Sequence, residues 1–201
     1  MWKPPLPRQG DRRKRAVGLL GGSFNPAHEG HVHVSRMAKQ ALGLDEVWWL
    51  VSPQNPLKPI SGMAPFRTRM EQAKTLTALI PFIKISDVES KLGTRYTADT
   101  VAILQKRLPG LRFVWLIGAD NLAQLPRWRG WTRLMRLLPV AVMARPAYSL
   151  PALAGKAAKR FERFRTPARR LVKATPPAWS FLWLREHPAS ASKIRTSQSQ
   201  G

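Results

Sequence analysis

The sequence predicts a single α/β domain, a doubly wound, Rossmann-like parallel sheet with helices on both faces. Three observations favour this fold class. Short apolar runs typical of buried strands alternate with helical patterns along the chain. A glycine-rich turn follows the first apolar run, which is where such a sheet often carries its ligand site. The 201 residues are 44% apolar, which is enough for one domain with a sizeable core.

The predicted elements follow one another in strand–helix order. Strands are predicted at residues 16–20, 46–52, 82–88, 112–118, 140–145 and 181–185. Helices are predicted at residues 32–42, 66–79, 97–108, around 121, at 131–138 and from 190 to 196. The second helix is expected to bury one face, formed by Met70, Ala73, Leu76 and Leu79. Because helical connections cover the faces of a parallel sheet, this alternation indicates parallel strands.

Two segments lack such a pattern. Residues 1–15 are rich in proline and arginine without apolar periodicity, so we expect a basic, disordered extension. Residues 16–201 then form the domain. The segment 146–178 is basic and contains several prolines, so it is expected to be loop with at most one helix.

The formal net charge of the chain is +23, and the excess is densest in residues 1–15 and 156–173. A basic surface attracts polyanions, and it also speeds encounter with phosphorylated small molecules. Charge alone is weak evidence for such a partner, and a solvated, highly basic surface is the favoured explanation. We therefore expect no dedicated nucleic-acid partner.

The chain has no cysteine, which excludes disulfides, thiol catalysis and cysteine-bound metals. No apolar run approaches the roughly 20 residues that a membrane helix needs. The basic stretch before residue 16 superficially resembles the start of a signal peptide, but the short apolar run after it leads into a glycine turn. We therefore expect a cytoplasmic protein without a membrane partner.

The most informative segment is Gly21-Gly22-Ser23-Phe24-Asn25-Pro26, with His28 and His31 shortly after it. The turn predicts backbone N–H groups and a helix N-terminus at the carboxyl end of a strand, where α/β sheets bind anions. Histidines three positions apart share a face of the first helical turn. The segment predicts a phosphate site with two imidazoles, although one histidine could instead cap the helix while the other faces solvent.

Other known motifs do not fit this segment. No Gly-Lys-Ser/Thr follows the glycines, which excludes a P-loop, and Gly21-Gly22 lacks the G-x-G-x-x-G spacing of dinucleotide-binding folds. His28-Glu29-Gly30-His31 is one residue short of the zinc-protease H-E-x-x-H motif, and no third ligand is evident. No protein-bound metal is therefore predicted.

Further candidate residues lie where such a sheet would display them. Gly118-Ala119-Asp120 closes the strongest strand, and Asp120 could accept hydrogen bonds from ribose hydroxyls or cap a helix. Trp128 could stack on a flat heterocycle or pack in the core. Thr97 opens a helix, where ordinary capping is the alternative.

Two more segments carry candidate anion-binding groups. Lys58, in a proline-rich loop, could meet a phosphate or could simply be solvated. Ser190-Ala191-Ser192-Lys193-Ile194-Arg195 opens a helix with two hydroxyls and a guanidinium, which is a second anion site.

Two phosphate sites without paired carboxylates point to phosphoryl or nucleotidyl transfer. In that chemistry the protein mainly positions the reactants and stabilises spreading negative charge. If the nucleophile is a phosphate monoester, it is mostly ionised at neutral pH because its second pKa is about 6. No general base is then required.

The turn with His28-x-Gly30-His31 resembles the signature of the HxGH nucleotidylyltransferase superfamily. The order of the other motifs resembles that of the bacterial nicotinate-mononucleotide adenylyltransferases. These motifs are Lys58 in its proline loop, Tyr96-Thr97-x-Asp99-Thr100, Gly118-Ala119-Asp120, Leu125-Pro126-Arg127-Trp128, Arg145-Pro146 and Ser190-x-Ser192-x-Ile194-Arg195. The likeness runs from about residue 17 to residue 195.

The resemblance implies that nicotinate mononucleotide and ATP react to give nicotinate adenine dinucleotide and pyrophosphate, with Mg²⁺ on the phosphates. It implies that His28 and His31 hold the ATP phosphates and stabilise charge at the α-phosphate. Residues implied in ATP binding through the turn are Gly21, Gly22, Ser23 and Phe24. Residues implied in binding the β- and γ-phosphates are Ser190, Ser192, Ile194 and Arg195, with Lys58 nearby.

The resemblance also implies a mononucleotide subsite. Trp128 would stack on the pyridine ring, and Thr97 with neighbouring amides would lie near the pyridine carboxylate. Gly118, Asp120 and Arg145 would line the mononucleotide side.

The family pattern is not matched everywhere. Ala191 stands where the family often has a hydroxyl residue, and Asn25 replaces a common aspartate. The same chemistry on nicotinamide mononucleotide or phosphopantetheine is an alternative, and a basic nucleic-acid-binding domain is a more remote one. The sequence leaves the oligomeric state open, a homo-oligomer included.

Overall fold

A computed structural model describes residues 15–53, 62–145 and 147–183 of the chain. Within these ranges six parallel strands form one sheet. The strands are β1 (Arg15–Gly22), β2 (Glu46–Val51), β3 (Ile83–Ser86), β4 (Leu111–Gly118), β5 (Val140–Met143) and β6 (Trp179–Leu182). Their order in the sheet is β3-β2-β1-β4-β5-β6, which confirms the predicted doubly wound, Rossmann-like class.

Helices cover both faces of this sheet. They are α1 (Glu29–Leu42), α2 (Phe66–Thr77), α3 (Val88–Leu92), α4 (Thr97–Arg107), α5 (Ala119–Gln124), α6 (Trp131–Leu137), α7 (Ser149–Leu153), α8 (Lys156–Arg160) and α9 (Ala168–Leu171). Buried side chains of α4, α5, α6, α7 and α8 pack in one apolar cluster, and those of α1, α2 and α9 pack in a second. Along β1, Val17 and Leu19 belong to the first cluster and Ala16 and Leu20 to the second. None of the helices in the described ranges is long and apolar enough to cross a membrane.

The winding of the sheet reverses between β1 and β4. After β1 the chain builds outward through β2 and β3, and it then returns to build β4, β5 and β6 on the other side. In open α/β sheets, ligands bind outside the carboxyl ends of the strands at such a reversal. The β1–α1 and β4–α5 turns are neighbours there, because β1 pairs directly with β4. We call the carboxyl ends of the strands, together with the loops that follow them, the carboxyl edge.

The two glycines of the turn lie in the strand, so the prediction that β1 breaks before them is wrong. Gly21 and Gly22 are the last two residues of β1 and pair with Leu50 and Val51 of β2. A Cβ built on Gly21 would lie 2.7 Å from the ring of Trp115 on β4. Gly21 is therefore needed for close packing against an aromatic ring of the neighbouring strand. The chain leaves the strand only after Gly22.

Two other predicted boundaries are wrong. The strand predicted at residues 82–88 ends at Ser86, whose hydroxyl accepts a hydrogen bond from the Val88 N–H at 3.3 Å and so helps to start α3. The helix predicted to reach Leu79 ends at Thr77, and Leu79 is 95% exposed instead of buried. Local hydrogen bonds, which apolar periodicity does not report, decide both ends.

The segment after β5 contains more helix than predicted. It includes α7, α8, α9 and a short 3₁₀ turn at Glu162–Phe164. Pro151 lies in the first turn of α7 and Pro167 is the N-cap of α9, two places where a missing N–H costs no helical hydrogen bond. The prolines therefore begin helices here and do not exclude them.

The last strand also begins earlier than predicted, at Trp179 instead of residue 181. The buried Trp179 indole donates to the Phe161 carbonyl at 2.8 Å. Along the outer side of β6, the Thr166 N–H donates to the Trp179 carbonyl at 2.7 Å. This chain segment covers part of an edge that would otherwise be open to pairing with another strand. The helix predicted at residues 190–196 lies outside the described residues.

We expect Gly21→Ala to lower the free energy of unfolding by about 1–3 kcal/mol, because the added methyl group overlaps a ring that the core holds in place. Gly110→Ala is the matched control, since a Cβ there has no heavy atom within 4 Å. Urea unfolding of the wild type and both variants measures the difference. Equal stability of the two variants would contradict this account of Gly21.

Candidate active site

The first turn of α1 is capped by its own histidines. His28 is the N-cap residue, and its Nδ1 accepts a hydrogen bond from the Gly30 N–H at 3.1 Å. His31 Nδ1 in turn accepts from the His28 N–H at 3.3 Å. This reciprocal arrangement is a capping box in which imidazoles replace the usual hydroxyl and carboxylate. The capping alternative is thus correct for His28, and it does not exclude a role in binding phosphate.

The capping bonds decide which ring nitrogen carries the proton. A neutral imidazole has one acceptor nitrogen and one N–H, so a ring that accepts at Nδ1 carries its proton on Nε2. The centroids of the His28 and His31 rings lie 4.0 Å apart, and both rings lie at the N-terminus of a 14-residue helix. Two Nε2–H donors and the positive end of a helix dipole therefore meet at the carboxyl edge.

The position of His31 is fixed by aromatic packing against β2. Its ring centroid lies 4.8 Å from that of Phe24, and Phe24 stacks on Trp49 with an interplanar angle of 13°. The Trp49 indole donates to Ser35 Oγ at 2.8 Å, and Ser35 Oγ donates to the His31 carbonyl at 2.8 Å. Ser35 and Trp49 are not among the residues predicted from the sequence, because a serine inside a helix and a tryptophan in a strand carry no signal of this contact.

Ser23 and Phe24 form the turn between β1 and α1. Phe24 has a φ of 47°, a left-handed value that is rare outside glycine, and its ring is only 2% exposed. Such strain persists only where surrounding contacts hold it, and here Trp49 does so. The buried Ser23 hydroxyl has no hydrogen-bond partner among the described residues.

Asn25 joins the turn to the segment before α2. Its side-chain amide donates to the Gly62 carbonyl at 3.0 Å and accepts from the Ala64 N–H at 3.1 Å. An aspartate could make only the second of these bonds, because an ionised carboxylate has no proton to donate. The departure from the family pattern at residue 25 thus adds a contact.

The second part of the site follows β4. Arg145 Nε lies 3.1 Å from Asp120 Oδ1, and both side chains are partly exposed. A Cβ on Gly118 would lie 2.6 Å from Arg145 Nε, so a larger residue there would require the ion pair to shift. Gly118, not Asp120, is the N-cap residue of α5, so the capping alternative is wrong for Asp120. Asp120 Oδ1 is buried and accepts no hydrogen bond of good geometry from the described residues, so its partner there is the Arg145 ion pair.

Trp128 and Thr97 belong to two neighbouring loops. Trp128 follows the 3₁₀ turn Leu125–Arg127, and its partly buried side chain packs against the first apolar cluster. A Cβ on Gly130 would lie 3.5 Å from the Ala98 Cβ, so the segment after Trp128 docks on the start of α4. Thr97, the first residue of α4, is not its N-cap, and Tyr96, which is, makes no capping bond through its side chain.

Two arginines hold these loops together. Arg129 Nη1 donates to the Tyr96 hydroxyl at 3.3 Å, and its guanidinium lies 4.8 Å from the centroid of the Tyr96 ring. Arg133 Nη1 donates to Asp99 Oδ1 at 2.7 Å. The structure therefore brings the loop of Trp128 beside the start of the helix that Thr97 opens.

Five predicted site residues lie outside the described residues and stay predictions. They are Lys58, Ser190, Ser192, Ile194 and Arg195. The described residues contain no group of three or more His, Cys, Asp or Glu side chains that could hold a metal.

Glu89, a further titratable group at the carboxyl edge, is not among the residues predicted from the sequence. It lies in α3, directly after β3, and its partly buried side chain is hydrogen-bonded to Ser52 after β2. Burial raises the pKa of its carboxyl to about 7, and the hydrogen bond to Ser52 partly opposes that rise. A glutamate in an amphipathic sequence gives no sign of such burial.

Comparison with known sequences identifies the class of this protein. The sequence model of the cytidylyltransferase-like family matches residues 19–197. The chain belongs to this family.

Individual relatives are more specific. A Parvibaculum lavamentivorans protein named probable nicotinate-nucleotide adenylyltransferase is 53% identical over 182 residues, which cover 89% of this chain and 90% of the relative. A Cereibacter sphaeroides protein of the same name is 50% identical over 181 residues, which cover 90% of this chain and 97% of the relative. The resemblance seen in the motifs thus extends over most of both chains.

A solved structure shares the fold. The Plasmodium falciparum nicotinic acid mononucleotide adenylyltransferase complexed with NaAD matches with a TM-score of 0.66 and 16% identity. The match covers 90% of this chain and 83% of that one. At this identity the likeness concerns the fold, and it agrees with the strand order described above.

We expect Glu89→Gln to gain stability relative to the wild type as the pH rises from 5 to 8. A raised carboxyl pKa means that ionisation destabilises the folded state, so the wild type loses stability between its unfolded pKa and about 7. A rise of this size corresponds to at most about 3 kcal/mol. Thermal melts of both proteins across this pH range measure the effect.

Glu71→Gln is the control for this series. The hydrogen bond from Lys74 lowers the pKa of the exposed Glu71 carboxyl, so its removal gives no such rise with pH. A constant difference between Glu89→Gln and the wild type from pH 5 to 8 would contradict the burial of this carboxyl.

Proposed function

We propose that this protein transfers the adenylyl group of ATP to nicotinate mononucleotide, giving nicotinate adenine dinucleotide and pyrophosphate for NAD biosynthesis. The observation that carries the proposal is the pair of imidazoles that accept at Nδ1 at the start of α1, located where the sheet reverses its winding. The two relatives named above, about half identical over most of their length, support the choice of acceptor.

In the proposed reaction a phosphate oxygen of the mononucleotide attacks the α-phosphorus of ATP. The bond from that phosphorus to the β-phosphate bridging oxygen breaks, and pyrophosphate leaves. Negative charge grows on the α-phosphate oxygens and the leaving group during attack. His28 and His31, with the N-terminus of α1, are proposed to donate to these oxygens, so they act most strongly in the transition state. The incoming phosphate is already ionised, which removes the need for a general base.

The second part of the site is proposed to bind the mononucleotide. The partly exposed carboxylate of Asp120 suits a ribose hydroxyl, and Arg145 beside it suits an anionic group. The exposed part of the Trp128 indole suits stacking on a pyridine ring, with Thr97 and its neighbouring amides near the pyridine carboxylate. Gly118 leaves room for the Asp120–Arg145 pair as it is arranged here.

The remaining contacts to ATP are proposed for residues 58 and 190–195. Ser190, Ser192 and Arg195 would bind the β- and γ-phosphates, with Lys58 nearby. We propose that Mg²⁺ arrives on the phosphates, because this ion is commonly held by substrate phosphates and few protein ligands. The donors at the start of α1 are N–H groups, which fit phosphate oxygens and do not ligate a cation. The substrate phosphates would therefore hold Mg²⁺. We also propose a cytoplasmic location.

The proposal predicts which acceptor the protein uses. Purified protein is assayed for pyrophosphate release with ATP, Mg²⁺ and one of three acceptors: nicotinate mononucleotide, nicotinamide mononucleotide or phosphopantetheine. We expect the highest kcat/KM with nicotinate mononucleotide, because Arg145 and the amides near Thr97 favour an acceptor with a second anionic group. An equal or higher value with phosphopantetheine would contradict the proposal.

Two controls tie the activity to the site. His31→Ala is expected to lower kcat by about 100-fold or more with a smaller change in KM, as for a lost transition-state donor. Chelation by EDTA should stop the reaction, and added Mg²⁺ should restore it. Activity that survives both treatments would belong to a contaminant or to another site.

A further inference from the structure

Arg69 is a buried cation beside the phosphate turn. It lies in the first turn of α2 and is only 1% exposed, although arginine is normally solvated. Among the described residues it forms no ion pair with a carboxylate, and desolvation lowers the pKa of its guanidinium. An arginine stays charged even so. A full positive charge is therefore held inside the protein by neutral groups.

The guanidinium of Arg69 joins three parts of the chain through four hydrogen bonds. Nη1 donates to the carbonyls of Ser23 at 2.5 Å and Ser52 at 2.8 Å. Nη2 donates to the Pro53 carbonyl at 2.9 Å, and Nε donates to the Ala64 carbonyl at 3.0 Å. The first of these carbonyls follows β1, the next two follow β2, and the last precedes α2. Four of the five guanidinium N–H groups are thus used, and lysine could not reproduce this planar pattern.

The bond to Ser23 fixes the direction of the next N–H group. The peptide between Ser23 and Phe24 is trans, so its carbonyl and its N–H point in opposite directions. Because the carbonyl points toward Arg69, the Phe24 N–H points away from it. This N–H donates no hydrogen bond within the described part of the chain. The buried Ser23 hydroxyl on the same turn is also without a partner there.

The charge of Arg69, like the orientation of the Ser23–Phe24 peptide, favours an anion at the turn. A buried cation without a carboxylate partner raises the electrostatic potential at the turn directly in front of it. Negative charge bound at the turn would gain from that potential. Neither effect needs Arg69 to touch a ligand.

We propose that Arg69 is a positioning residue for ATP: it aims the Ser23–Phe24 peptide at the triphosphate and places a positive charge behind it. The inference rests on the proposed function, because it assumes that the turn binds ATP phosphates. It assigns no contact between Arg69 and substrate. Its effect should appear in the use of ATP and spare the binding of the mononucleotide.

The test is Arg69→Lys, which keeps the charge but loses the planar set of donors. Steady-state kinetics are measured with ATP varied and then with nicotinate mononucleotide varied, at a temperature where thermal melts show the variant folded. We expect kcat/KM for ATP to fall about 10- to 100-fold, as for lost hydrogen bonds to a charged group. The KM for nicotinate mononucleotide should stay close to the wild-type value. Arg67→Lys, at an exposed position of the same helix, is the matched control and should behave as wild type.

A rescue experiment covers the case in which Arg69→Lys fails to fold. Arg69→Ala is assayed with and without ethylguanidine, and ethylamine serves as the non-planar cation. Recovery of ATP use with ethylguanidine alone supports the inference. Unchanged ATP kinetics in Arg69→Lys, an equal loss toward both substrates, or no difference between the two cations would overturn it.

The proposed function is tested separately in the same series. Wild-type protein that forms no dinucleotide would contradict that function but leave the inference measurable. ATP binding by wild type and Arg69→Lys is then compared by calorimetry. Equal dissociation constants would overturn the role of Arg69.

Discussion

The reciprocal hydrogen bonds between His28, His31 and the backbone of α1 are the contacts on which the rest of the site depends. A helix N-terminus leaves N–H groups without helical partners, and these two rings satisfy two of them with Nδ1. The same bonds leave the imidazole protons on Nε2. Protonation of either ring would remove its acceptor and break a cap. The cap of the helix and the donors proposed for phosphate are therefore supplied by the same two side chains.

The sheet holds this turn rigidly. Phe24 stacks on Trp49 of β2 and keeps a left-handed backbone, while the ring of Trp115 on β4 packs against Gly21. Because β1 is central in the strand order, both neighbouring strands support the turn. The same order places Asp120, which follows β4, at the end of the strand next to this turn, and its partner Arg145 follows β5. The two regions proposed to bind the two nucleotides thus lie on neighbouring strands, as a transfer between two bound nucleotides requires.

The sequence was sufficient for the doubly wound, Rossmann-like fold class and for the glycine–histidine turn after the first strand, because periodicity and glycine spacing are local signals. It could not show contacts between distant segments. Gly21 was interpreted as part of the turn, whereas the Trp115 ring across the sheet explains it. The exposure of Leu79 and the helices of residues 146–178 were missed, because hydrogen bonds at helix ends and proline at first-turn positions override simple periodicity. Arg69 and Glu89 gave no signal at all, since burial of a charged side chain is decided by the surrounding fold.

The central claim is that His28 and His31 present Nε2–H groups to phosphate, and nitrogen NMR of their imidazoles tests it most directly. Long-range ¹H–¹⁵N spectra are recorded near neutral pH with and without ATP and Mg²⁺, and His28→Gln and His31→Gln assign the signals. The account predicts that both rings are neutral Nε2–H tautomers in the protein alone, and that ATP shifts their Nε2 signals more than their Nδ1 signals. Nδ1–H tautomers, or spectra that ATP leaves unchanged, would contradict it.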